Sequence, residues 1–95
     1  MKLPTKLKIG GLLFRVIYTD HNDGPLDGYG ACDIGNVTIY ISEALPPKQQ
    51  MSTLIHEILE AINGMYELQL NHTQICVLES GLYQVLTDNH LLKEK

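Results

Sequence analysis

Hydropathy changes period at Pro46-Pro47, and that change decides which class of fold is open to this chain. Before the prolines, apolar and polar residues tend to alternate, the two-residue period of a strand. After them, Met51, Leu54, Ile55, Ile58, Leu59, Ile62 and Met65 recur at helical spacing. At roughly 100° per residue they fill one broad side of a cylinder. Strands followed by helices, rather than alternating with them, predict an α+β fold. The expected architecture is a small antiparallel sheet of two hairpins and then two packed helices, all within residues 1–95.

The strands fall within residues 5–42. Gly10-Gly11 is a two-residue turn signal between residues 5–9 and 12–19. Apolar side chains on both faces of the second segment (Phe14, Val16, Ile17, Tyr18) mark an interior strand. Ile34-Gly35-Asn36 joins residues 29–33 to 37–42, where Val37, Ile39 and Ile41 share one face. Residues 20–28, D-H-N-D-G-P-L-D-G, are turn-rich. Their acids miss the EF-hand spacing, because Gly24 stands at a ligand position and no glutamate closes the loop, so a solvated connection is expected.

The prolines open a helix over residues 46–63, which Asn63-Gly64 should end. Asn71 and Gln74 read as the N-cap and its third-position partner for a second helix over residues 72–89. Its apolar stripe is predicted as Ile75, Leu78, Leu82, Val85 and Leu86, with His72, Cys76, Glu79 and Tyr83 along its edge. A carboxylate at the border of a core is costly unless something answers it. Glu79 therefore needs a partner.

Charge narrows the partners. Lys2, Lys6, Lys8 and Arg15 lie in the first fifteen residues, but residues 16–92 hold one base, Lys48, against ten acids. Such a body repels phosphate and offers no basic helix to a groove, so nucleic acid is not an expected partner. No apolar run approaches the ~20 residues that span a bilayer. Pro4, Lys6, Lys8 and Gly10-Gly11 interrupt the N-terminal apolar residues, which predicts a cytoplasmic protein. Cys32 and Cys76 form no C-x-x-C pair and read as reduced thiols. Oligomeric state has no signal here.

On the helix face opposite the apolar side, His56 and Glu60 stand one turn apart with Glu57 beside them. If the second helix brings Glu79 alongside, His56, Glu60 and Glu79 supply one nitrogen and two oxygens to a cation and leave a position for water. Glu57 is then the base that takes a proton from that water, and His72 or Tyr83 a further ligand or a donor to the developing oxyanion. Two carboxylates lower the effective charge of the ion and loosen the preference for zinc, which admits manganese or iron.

The order of hairpin, strand, H-E-x-x-E helix and glutamate-bearing helix resembles the zincin metallopeptidase core, in its gluzincin form. His56-Glu57 matches the start of H-E-x-x-H, with Glu60 in the place of the second histidine. Glu79, nineteen residues beyond Glu60, matches the third ligand. Residues 7–89 are also similar to small uncharacterised phage and prophage proteins carrying H-E-I-L-H-A-I and a form of L-E-S-G-L-Y-Q-V-L-T-D-N. The resemblance implies a metal-dependent peptide hydrolase acting on a peptide or protein. It also implies that residues 37–42 are the edge strand on which an extended peptide lies. A noncatalytic protein-binding module on the same fold is the alternative expectation.

Overall fold

The computed structural model describes residues 3–20 and 28–92. Residues 21–27, most of the turn-rich connection, lie outside them. Four strands, β1 (Lys6–Ile9), β2 (Leu12–Thr19), β3 (Gly30–Asp33) and β4 (Thr38–Ser42), precede two helices, α1 (Pro47–Tyr66) and α2 (His72–Asp88). The α+β class is as expected.

The β1–β2 turn uses Gly10 and Gly11 at φ 57° and 87°, the left-handed pair that a tight hairpin favours. A side chain at Gly10 would also meet Met65 Cε at 2.7 Å and Tyr66 Oη at 2.9 Å, so the turn sits against the end of α1. In the β3–β4 turn the Asp33 carboxylate accepts from Asn36 N at 3.1 Å and from Asn36 Nδ2 at 2.7 Å. This Asx turn sends Val37 to φ 51°, so the strand begins one residue later than expected, at Thr38.

The sheet order is β1-β2-β4-β3, and the two hairpins meet through a parallel β2–β4 pair. A wholly antiparallel sheet was the expectation; the actual sheet is mixed. Strand periodicity reports which side chains share a face and says nothing about the direction of a neighbour. The parallel register sets Val16 beside Ile39 and Tyr18 beside Ile41. β2 is interior, as its two-sided apolar pattern requires. β4 is interior too, which overturns its assignment as the edge strand: β3 covers that edge.

One face of the sheet carries Phe14, Val16, Ile39 and Ile41, all at most 3% exposed, and packs on Met51, Leu54, Ile55 and Ala61 of α1. Burying each large side chain contributes about 1.5–3 kcal/mol, which fixes how α1 lies over the strands. Pro47 opens α1, and the helix continues past Asn63-Gly64 to Tyr66, with Glu67 as the left-handed cap at φ 53°. Gly64 serves close approach instead of termination: a Cβ there would lie 2.5 Å from Ile34 Cδ1. Asn63 turns its amide to the chain beyond, bonding both N and O of Leu70.

That clamp delivers the chain to α2. Asn71 Oδ1 accepts from Gln74 N at 2.8 Å, and Gln74 Oε1 accepts from Asn71 N at 2.9 Å, the reciprocal cap read in the sequence. Asn71→Ala is expected to cost about 1 kcal/mol, read as a lower urea midpoint at unchanged m value. The helix packs through Ile75, Tyr83 and Leu86, whereas Leu78, Leu82 and Val85 are exposed. The predicted stripe is therefore rotated about the axis. The cause is that α2 packs against α1 and not against the sheet, so a narrow seam suffices to bury it. Among the described residues, no helix is long and apolar enough to cross a membrane.

Candidate metal centre

The α1–α2 seam brings His56 to Glu79. The Glu79 carboxylate accepts from His56 Nδ1 at 2.8 Å and from the Ser52 hydroxyl at 2.6 Å. Each oxygen thus has a donor, which answers the cost of placing an acid at the border of the core. Ser52 precedes His56 by one helical turn, so both donors stand on one edge of α1. With Nδ1 donating to the carboxylate, the neutral form of the ring carries its lone pair on Nε2. Glu60 Oε2 lies 3.5 Å from that second nitrogen.

His56, Glu60 and Glu79, expected to grip one ion, therefore come together around one imidazole but at its two different nitrogens. Among the described residues, the groups with three donor atoms within 4.8 Å of one another are His56, Glu60 and His72, and His56, Cys76 and Glu79. The first is a two-histidine, one-glutamate set, the combination that holds catalytic zinc while leaving a fourth position open. Bond lengths near 2.0–2.2 Å place such donors roughly 3.3–3.6 Å apart, so modest side-chain rotation would close the group. His72 reaches the centre from the start of α2, its ring centroid 5.5 Å from that of His56. Tyr83 packs on the core and lines neither of the cavities beside His56.

The larger of those cavities, about 450 Å³, is bounded by Gly30, Cys32, His56, Glu57, Glu60 and His72. Glu57 is its buried acid, 6% exposed, enclosed between α1 and β3 where the helix pattern alone suggested an open polar face. Burial pushes its carboxyl up to about 7, with Glu60 and Glu79 adding to the rise and His56 opposing it. The sequence reading missed Gly30, which makes the room: a Cβ there would lie 2.7 Å from Thr53 Cγ2 and 2.9 Å from Glu57 Oε2. Cys32, on the same strand, has its thiol pushed up to about 11, chiefly by burial and then by Glu57, Glu60 and Asp33.

Among the described residues, β3 is the last strand of the sheet, and it borders the cavity. Ser42 N donates to Tyr29 O, so the alternation of an antiparallel ladder pairs Ala31 and Asp33 with β4. The N–H and C=O groups of Gly30 and Cys32 then point away from β4. Ser52 was the other omission; its position four residues before His56, facing Glu79, was the available signal.

Comparisons with protein-family models, with curated proteins and with solved structures find no match to this chain.

Proposed function

We propose that this protein is a small zincin-like, metal-dependent peptide hydrolase, of the cytoplasmic and phage-related kind that its sequence resembles. Zinc, or manganese or iron, is held by His56 Nε2, Glu60 and His72. One observation carries the reading: an imidazole hydrogen-bonded through Nδ1 lies within reach of a carboxylate and a second histidine, beside a buried acid. The chemistry such an ion supplies is a more acidic water and a more polarised carbonyl.

The chain's own residues do the rest. Glu57, with a carboxyl near neutrality, takes the proton from the attacking water and can return it to the departing amine. Its enclosure against Gly30 holds it at the cavity instead of in bulk solvent. Glu79 is a positioning residue in this reading: fixed by Ser52, it keeps His56 in the tautomer that leaves Nε2 bare. The outer position of β3 among the described strands supports an extended peptide laid alongside as an added strand, bringing a scissile carbonyl toward Glu57. That same position also favours the second reading, a module that binds a peptide without cutting it.

Glu79→Gln separates a positioning role from ligation. It is expected to weaken zinc binding by about 10–100-fold, measured by competition with a chromophoric chelator, as removal of a partner behind a ligating histidine does. A loss equal to that of His56→Ala would instead make Glu79 a ligand.

A further inference from the structure

The second group of donors lies on the other side of the same imidazole. Cys76 Sγ, a Glu79 oxygen and a His56 nitrogen fall within 4.8 Å of one another, and all three residues are part-buried. A cavity of about 310 Å³ opens beside them, bounded in part by Thr53, His72 and Tyr29. His72 Nε2 stands 3.4 Å from the sulfur, within reach as a fourth donor. The set differs in kind from the first, since it replaces a second imidazole with sulfur. Thiolate selects thiophilic ions, whereas imidazole and carboxylate together accept harder ones.

We propose that Cys76, Glu79 and the Nδ1 side of His56 form a second cation position, selective for thiophilic ions such as Cd²⁺ or Cu⁺. Glu79 Oε1 already lies 2.8 Å from His56 Nδ1, so an ion would enter between these two atoms. Four-coordinate bonds of about 2.0–2.3 Å require that gap to widen by roughly half an ångström to one ångström. Binding releases the thiol proton to solvent and shifts the imidazole proton from Nδ1 to Nε2, so that Nδ1 can donate its lone pair to the ion. The site uses neither Glu60 nor Glu57 but shares His56, so with a neutral imidazole an ion at Nδ1 and an ion at Nε2 are alternatives.

Titration of the whole protein with Cd²⁺, followed by near-ultraviolet thiolate-to-metal charge-transfer absorption, tests it. The wild type is expected to develop the band at a stoichiometric equivalent. Cys76→Ser should abolish it, while Cys32→Ser and Glu60→Ala retain it. His56→Ala and Glu79→Gln should each weaken the transition at least tenfold, the mark of a shared ion and not of a single thiol. A band that survives Cys76→Ser, or a wild type without one, overturns the site. So does an unchanged midpoint in both His56→Ala and Glu79→Gln. Failure of Glu60→Ala to bind manganese at Nε2, with the cadmium band intact, would bear on the first position alone.

Discussion

Glu57→Gln is expected to keep the bound ion and lose about 10²–10⁴-fold in hydrolysis, the usual contribution of a positioned general base. The amide is nearly isosteric with the acid, so the pocket against Gly30 and Thr53 stays filled. Glu57 is not among the three donors assigned to the ion, so zinc content and affinity should change little. What is removed is the capacity to accept a proton. Mass spectrometry of a mixed peptide library, or loss of an unfolded protein such as casein, measures the rate. Equal rates in wild type and variant would remove the catalytic role and leave the binding module.

The same side chain should make the ion-free protein less stable as pH rises. The Glu57 carboxyl moves from an ordinary 4.5 to about 7 on folding, so the native state binds its proton more tightly than the unfolded chain. Below about pH 4.5 both states are protonated and the group costs nothing. Between there and about 7 the unfolded chain releases its proton first, and stability falls by ~1.4 kcal/mol per pH unit. Above about 7 the loss is complete, on the order of 3 kcal/mol, because a buried carboxylate near Glu60 and Glu79 must be carried by the fold. Glu57→Gln lacks this contribution. Urea unfolding in chelator at a series of pH values should show the variant gaining on wild type through that window and no further above it. Parallel curves would mean that Glu57 is as well solvated folded as unfolded.

These two results concern a residue whose position was only half legible in the sequence. Helical spacing placed Glu57 beside His56 and Glu60, correctly, but which surface covers that face depends on β3, whose edge position periodicity does not encode. The parallel junction of the hairpins was hidden for the same reason. Local chemistry was easier to read. The Gly10-Gly11 turn, the proline start of α1 and the Asn71–Gln74 cap are set by contacts within a few residues, and each forms as the sequence suggests. Gly64 shows the limit of local reading: it has the identity of a helix stop and the task of admitting Ile34.

The centre itself divides along similar lines. Glu79 announced its need for a partner, and it finds two in Ser52 and His56. Which nitrogen it meets is a matter of the α1–α2 seam, and that seam turned out to run through Ile75, Tyr83 and Leu86 while Leu78, Leu82 and Val85 stayed outside. A helix that packs on one neighbour needs a narrower apolar strip than its composition offers, so hydropathy overstated its buried face. The same rotation leaves His72 and Cys76 at the centre, where a lone histidine at a helix start and a lone thiol would otherwise pass as surface residues.

Crystals grown with one equivalent of zinc and measured at the zinc absorption edge test the proposed centre most directly. The expected result is an anomalous peak about 2.0–2.1 Å from His56 Nε2, with an oxygen of Glu60 and a nitrogen of His72 completing the protein ligands. Absence of a peak beside Nε2 in zinc-loaded crystals would contradict it.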